Sequence, residues 1–128
     1  MIKILKSIFP IFFVIVLSYW SIGNIFPVGY FQVHDDTQVQ RVFEMSKSLS
    51  DGMFPVRWVS DLGYGYGYPI FNFYAPLSYY FGAILNLAGL DVLFATKLMM
   101  AFGVLLAGFS MYLLGNSLWG KVAGVVSA

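Results

Sequence analysis

The segment from His34 to Tyr80, HDDTQVQRVFEMSKSLSDGMFPVRWVSDLGYGYGYPIFNFYAPLSYY, separates two strongly apolar parts of the chain. It begins with two adjacent carboxylates and ends in a dense run of Gly, Tyr, Phe and Pro, and it carries most of the charged residues. The flanking parts are apolar enough to act as membrane anchors. We therefore expect this segment to be a polar loop that the anchors hold at a membrane surface.

The overall composition also indicates a membrane protein. Of the 128 residues, 59% are hydrophobic and only 10% are charged, whereas a soluble domain carries about a quarter charged residues. The net charge of +1 gives no electrostatic basis for binding nucleic acid. The absence of cysteine excludes disulfides and thiolate metal sites.

The N-terminal part predicts a first transmembrane helix over residues 8–27, a run without any charge. Lys3 and Lys6 precede it and favour a cytoplasmic N-terminus, which makes residues 28–75 an extracytoplasmic loop. Tyr19 and Trp20 lie near its far end, as interfacial aromatic residues do. The alternative is a cleaved signal peptide ending near Ser21-Ile22-Gly23, although bulky neighbours disfavour cleavage there.

An amphipathic helix is predicted over residues 37–51 inside the loop. Thr37 and Gln40 have the spacing of a capping box, and Gly52 is a typical C-terminal stop. One face is apolar and the other polar, which is typical of a helix lying along a membrane surface. The apolar face comprises Val39, Val42, Phe43, Leu49 and Met53, and the polar face comprises Gln40, Arg41, Glu44, Lys47 and Ser48.

The Gly-Tyr alternation that follows is the most unusual feature of the loop. In an extended strand, Tyr64, Tyr66 and Tyr68 would all point to one side. They would then form a platform of rings and hydroxyls for a sugar, which Asn72 and Tyr74 would extend. The alternative is an interfacial loop rich in aromatic residues.

Arg57 is the cation of this part of the loop. Its planar guanidinium suits a substrate phosphate. The alternatives are an ion pair with Asp61 or contact with a lipid headgroup.

The C-terminal part predicts further membrane helices. A second membrane helix is expected over residues 74–90, although it is short for a span, and a third over residues 91–115 with Asp91 as its cap. Residues 118–128 start a fourth apolar segment and stop before the roughly 20 residues that a span needs. We therefore expect the N-terminal fragment of a longer polytopic, all-α membrane protein built as a helical bundle.

The order of these motifs resembles a known group of membrane proteins. The anchor helix, His-Asp-Asp, the helix ending in Asp-Gly, Phe-Pro-Val-Arg-Trp, Gly-Tyr-Gly-Tyr-Pro and Phe-Asn-Phe-Tyr-Ala-Pro resemble large prokaryotic integral membrane proteins. These are called 6-pyruvoyl-tetrahydropterin-synthase-related proteins and are similar to the YfhO-like group; both look like members of the GT-C superfamily of polytopic glycosyltransferases. The resemblance covers residues 8–128 and is most specific over residues 34–80. His34 is the only histidine, so the chain has no zinc-histidine site to match the pterin name.

The resemblance implies transfer of a sugar from a polyprenyl-phosphate donor to an extracytoplasmic acceptor. By position, Asp35 and Asp36 match the acidic site that GT-C enzymes carry in their first extracytoplasmic loop. It implies Asp35 as general base and Asp36 as its support or as ligand of a divalent cation, Mg²⁺ or Mn²⁺, or the reverse order, with His34 beside them. The implied partners are membrane lipid, the lipid-linked sugar and the remainder of the parent polypeptide, without which the fragment is expected to be inactive.

The alternative role of the acidic pair is helix capping, which needs only one carboxylate. Two other protein classes also fit the sequence. One is a non-catalytic polytopic membrane protein, such as a transporter or an envelope assembly factor, in which the aromatic loop is structural. The other is a small, self-contained membrane subunit.

Overall fold

The computed structural model describes the backbone of residues 2–30 and 37–128, and the side chains of residues 12–30 and 37–128. His34, Asp35 and Asp36 therefore lie outside the described residues. The described chain is all-helical, without a strand in these ranges. Its helices are α1 (Ile2–Ile22), α2 (Gln38–Ser50), α3 (Leu77–Leu87), α4 (Val92–Trp119) and α5 (Lys121–Ser127), with short 3₁₀ turns at Gly23–Ile25 and Ile70–Asn72.

The chain forms two compact units. One consists of Met1–Phe31 with Met100–Ala128, and the other of Gln32–Met99. Helix α4 is continuous and contributes its first turns to the second unit and the rest of its length to the first. The polar loop that the sequence analysis singled out lies in the second unit.

Helix α4 is long and apolar enough to cross a membrane, and in the described part of the chain no other helix meets that criterion. The predicted cap at Asp91 is confirmed, because its Oδ2 accepts hydrogen bonds from the backbone N–H groups of Leu93 and Phe94 at 3.0 and 3.3 Å. The helix continues beyond the predicted end at residue 115. Phe12–Ile25 and α3 are apolar but shorter, so a polytopic bundle stays a prediction.

In the first unit, α5 packs closely against α4. Gly120, with a φ of 86°, separates the two helices, so Leu118 and Trp119 belong to α4 rather than to a new helix. A Cβ on Gly124 would lie 2.8 Å from the carbonyl oxygen of Tyr112, which shows how near the backbones are. Helix α1 also belongs to this unit; it runs from Ile2 to Ile22, earlier than the predicted 8–27.

The core of the second unit is the packing of α2 on α3. Val42 and Met45 of α2 are completely buried. At Gly82 of α3, an added Cβ would lie 2.9 Å from Val42 Cγ2 and 3.2 Å from the sulfur of Met99 on α4. Three helices thus meet at one glycine. Helix α3 is shorter than the predicted 74–90, because Pro76 precedes its first residue and the chain turns at Gly89.

The predicted exposure of the two faces of α2 is wrong. Arg41, Glu44 and Ser48 were expected on a solvated face but are buried, whereas Phe43 from the expected apolar face is half exposed. The reason is that the polar side of α2 turns toward hydroxyls and rings of its own unit. The predicted capping box is also wrong, since Thr37 occupies the N-cap position but its side chain makes no capping hydrogen bond.

The Gly-Tyr alternation forms turns rather than an extended strand. Tyr64 has a φ of 59°, and the glycines at 63, 65 and 67 also have left-handed φ values. The only β pairing in the described chain is an isolated antiparallel bridge, in which the N–H groups of Val59 and Tyr68 bond each other's carbonyl oxygens at 3.1 and 2.9 Å. The one-sided row of tyrosines that an extended backbone would give is therefore not formed, and the segment is the aromatic loop that the sequence offered as the alternative.

The glycine at the α2–α3 contact generates the first prediction. Gly82→Leu should lower the free energy of unfolding by about 1–3 kcal/mol, because the added side chain must displace Val42 and Met99. The measurement is thermal unfolding of the purified protein in detergent. Gly103→Leu is the matched control, since a Cβ at Gly103 meets nothing within 4 Å. An equal loss of stability in both variants would contradict the importance of this contact.

Candidate functional site

A pocket of about 290 Å³ lies in the second unit, between the start of α2 and the aromatic loop. One wall comes from the start of α2. The N-cap residue of this helix, Thr37, lines the pocket and directly follows His34-Asp35-Asp36 in the sequence. The pocket combines one cation and several neutral polar groups with apolar walls. The lining residues are Thr37, Gln40, Arg41, Leu62, Gly63, Tyr68 and Ile70.

Arg41 is the charged residue of this pocket, and it is held in place by aromatic residues. Only 7% of the residue is exposed. Its guanidinium carbon lies 4.2 Å from the centre of the Tyr74 ring, and its Nη1 donates to the Tyr79 hydroxyl at 3.2 Å. The Tyr79 hydroxyl donates in turn to Oε1 of Gln38 at 2.8 Å. Stacking on a ring and a charge-assisted hydrogen bond offset part of the cost of burying the charge.

Glu44 lies about one turn further along α2 and is also buried, with 2% of the residue exposed. Its Oε2 has no hydrogen-bond partner among the described residues. Burial raises the pKa of the Glu44 carboxyl, and the negative charge of Asp61 raises it further. Lys47 and the backbone N–H of Asp61 act in the opposite direction. The site therefore contains a carboxyl group that holds its proton to a higher pH than usual.

An ion pair between Lys47 and Asp61 joins α2 to the start of the aromatic loop. The Lys47 ammonium, and then the Ser60 hydroxyl, lower the pKa of Asp61, and the same hydrogen bond raises the pKa of Lys47. Asp61 is thus paired with Lys47 rather than with Arg57, which is exposed. Because both partners of the pair are partly exposed, it orients the loop more than it stabilises the fold.

The structure brings together two of the predicted substrate-binding residues. Tyr68 lines the pocket, and Tyr74 lies against the Arg41 guanidinium. Others do not line the pocket and are exposed, namely Arg57, Tyr64, Tyr66 and Asn72. His34 and the predicted catalytic pair, Asp35 and Asp36, lie outside the described residues.

Sequence reasoning missed Arg41, Glu44 and Tyr79 as site residues. The pattern assigned the first two to a solvated helix face, and it treated Tyr79 as part of a membrane helix entry. The Arg41–Tyr79 hydrogen bond joins positions 38 residues apart, so no local pattern could reveal it. The small number of charged residues could have indicated Arg41, because a cation in a chain rich in tyrosine has aromatic rings with which to interact.

The described residues do not form a site for the divalent cation that the resemblance implies. No group of three His, Asp or Glu side chains among them is placed to hold a metal ion. Glu44 and Asp61 are neighbours, but the Lys47 ammonium already neutralises Asp61. Asp36, the predicted metal ligand, lies outside the described residues.

Comparisons with protein family models, with curated proteins and with solved structures found no match to this chain.

The Arg41 network generates a prediction on stability. Tyr79→Phe should lower the free energy of unfolding by about 1–3 kcal/mol, because it removes the hydroxyl that bonds a buried charged group. The measurement is thermal unfolding at constant detergent concentration. Tyr64→Phe is the matched control, since the Tyr64 side chain is fully exposed and should tolerate the same change. Equal stability of the two variants would mean that the Tyr79 hydroxyl does not support Arg41.

The buried Glu44 carboxyl generates a prediction on pH dependence. Because its pKa is raised in the folded state, its contribution to stability is complete below the ordinary value of 4.5 and is lost as the pH rises through the raised pKa. Glu44→Gln should therefore flatten the decline of the unfolding temperature above that pH and be the more stable form at neutral pH. Asp51→Asn is the control, because Asp51 is an exposed carboxylate at the end of the same helix. A Glu44→Gln profile that parallels the wild type would contradict this assignment.

Proposed function

We propose that this protein is a membrane glycosyltransferase of GT-C type that transfers a sugar from a polyprenyl-phosphate donor to an extracytoplasmic acceptor. The observation that supports this most is the position of Arg41. A buried guanidinium lies at the wall of a pocket whose first lining residue, Thr37, directly follows the acidic pair in the sequence. Glycosyl transfer from a phosphate requires a cation and a carboxylate; Arg41 would supply the cation, and the acidic pair that precedes Thr37 in the sequence would supply the carboxylate.

Arg41 is the group that we assign to the donor phosphate. A planar guanidinium matches the geometry of phosphate oxygens, and one held by Tyr74 and Tyr79 needs little reorganisation when the charge of the leaving phosphate develops. This role replaces the expected role of Arg57, which is exposed and does not line the pocket. The leaving phosphate is thus neutralised by a side chain, and no step depends on a metal ion.

The acidic pair supplies the base in this proposal. The acceptor hydroxyl oxygen attacks the anomeric carbon of the sugar, and the bond from that carbon to the phosphate oxygen breaks. The proton of the hydroxyl passes to one carboxylate, assigned to Asp35 with Asp36 as its support, or the reverse, and the phosphate leaves with the electron pair. This division of roles follows the family resemblance of the sequence.

The sugar itself is assigned to the aromatic residues beside the pocket. Tyr68 lines the pocket and Tyr74 adjoins Arg41, so their rings offer faces for sugar C–H groups and their hydroxyls offer hydrogen bonds. Tyr64 and Tyr66 are exposed at the tip of the loop and fit the alternative role of interfacial aromatic residues. The polar loop is extracytoplasmic in this proposal, with a cytoplasmic N-terminus and a multi-pass topology.

The test measures transfer of radiolabelled sugar from polyprenyl-phosphate and polyprenyl-diphosphate donors by the full-length protein in membranes. Asp→Asn at the residue that acts as base should lower the rate by about 10²–10⁴-fold. Arg41→Lys should also lower the rate, because an ammonium keeps the charge but loses the planar fork. Asp51→Asn should transfer at the wild-type rate, since Asp51 is exposed and does not line the pocket.

Two results would overturn the proposal. One is wild-type transfer by Asp35→Asn, Asp36→Asn and Arg41→Lys at equal expression. The other is a wild-type protein that transfers sugar from no polyprenyl-linked donor. Either result would leave the acidic pair with a structural role, as in the non-catalytic membrane proteins considered from the sequence.

A further inference from the structure

A long part of the second unit has no charged residue. From Leu62 to Leu90 the sequence contains no Asp, Glu, Lys, Arg or His, and this region includes the aromatic loop and all of α3. Helix α3 is uncharged and mostly apolar, which is typical of a helix that is either enclosed in protein or in contact with lipid. The packing of α3 shows that protein covers only one of its sides.

The covered side of α3 is the one that faces α2, and its buried residues are Tyr79, Gly82 and Ala83. On the other side, Leu77, Ile84 and Leu87 are 80%, 60% and 50% exposed. Their spacing of seven and three residues puts them in one row along the helix. This row, here called the outer stripe, presents large aliphatic side chains that a protein surface in water would normally cover.

The position of α3 beside α4 gives its level relative to a bilayer. Lys97 is the last charged residue of α4, and residues 98–119 form an uncharged helical segment. At 1.5 Å per residue this segment is about 33 Å long, close to the roughly 30 Å of a hydrocarbon core. Its second residue is Met99, whose sulfur lies 3.2 Å from where a Cβ of Gly82 would be. Gly82, in the middle of α3, therefore packs at the second residue of this uncharged segment, within the same unit.

The length of α3 and the turn that follows it indicate how this helix lies relative to a bilayer. With 11 residues it is about 16 Å long, about half of a hydrocarbon core. Its C-terminal end leads through a turn at Gly89 to Asp91, an exposed carboxylate that must stay in the aqueous or headgroup region. Helix α3 is thus too short to cross and has one end fixed at the membrane boundary.

We propose that α3 lies along the membrane interface, with the outer stripe in the acyl chains of one leaflet. The partner of this surface is the lipid bilayer. The proposal rests on the insertion of α4 that is part of the proposed function, and not on catalysis. Because α2 packs on the opposite side of α3, it lies on the aqueous side, about 8–10 Å further out. The pocket beside α2 is then within reach of a lipid-linked headgroup.

These 128 residues contain no cysteine, so a cysteine introduced here is the single labelling site once any cysteines elsewhere in the protein are replaced by serine. Single-cysteine variants of the full-length protein, Ile84→Cys and Leu87→Cys, are spin-labelled in vesicles of phosphatidylcholine and phosphatidylglycerol. Collision rates are then measured with oxygen, which concentrates in acyl chains, and with a water-soluble nickel chelate. Relative to Ser50→Cys, an exposed site on α2, both labels should shift strongly toward oxygen.

Two results would overturn the proposal. Labels at Ile84 and Leu87 that collide with the nickel chelate as often as the label at Ser50 would show that the stripe faces water. Labels that are immobile and collide with neither reagent would show that protein covers the stripe. Leu106→Cys on α4 separates this failure from that of membrane insertion: a lipid-exposed Leu106 with a water-exposed stripe rejects this inference alone, whereas a water-exposed Leu106 rejects both.

Discussion

The burial of the Arg41 guanidinium against two tyrosines is the interaction on which the second unit depends. Tyr74 supplies a ring face from the end of the aromatic loop, and Tyr79 supplies a hydroxyl from α3. A charge taken from water into a protein is costly unless such partners receive it. Because the partners come from α3 and the loop, satisfying Arg41 requires α2, α3 and the loop to assemble together. The same contact gives the pocket a charged wall residue, whereas the other lining residues within the described ranges are neutral.

The remaining charges of α2 fit this arrangement in different ways. Glu44 is buried with an oxygen that has no partner among the described residues, and this burial raises the pKa of its carboxyl. Lys47 stays at the surface and reaches Asp61 at the start of the loop. The helix thus carries a fixed cation, a carboxyl with a raised pKa and a surface ion pair within two turns.

The sequence predicted the helical class and the existence of its main segments, since long apolar runs and a cap such as Asp91 are local signals. It did not predict correctly which faces of α2 are buried in protein and which are exposed. Periodicity divides α2 into apolar and polar sides, but it does not show that the polar side has tyrosines to receive it. The Gly-Tyr alternation is compatible with an extended strand or with a loop, and the left-handed φ values that glycine permits form turns. Tyr68 and Tyr74 were singled out from the sequence because their region is unusually rich in Gly and Tyr, whereas the burial of Arg41 depends on a contact between distant positions.

The apolar character of α3 and the charge of α2 are two aspects of one arrangement. In the arrangement proposed above, lipid covers the outer side of the uncharged helix α3, and protein covers the polar side of α2, whose charges are costly to bury without partners. Packing α2 on α3 through Gly82 is compatible with both conditions. It buries part of α2 inside the unit and leaves the outer side of α3 exposed. The close approach at Gly82 also keeps α3 beside the first turns of α4. The pocket beside α2 is therefore built on the same contacts that stabilise the fold of the second unit.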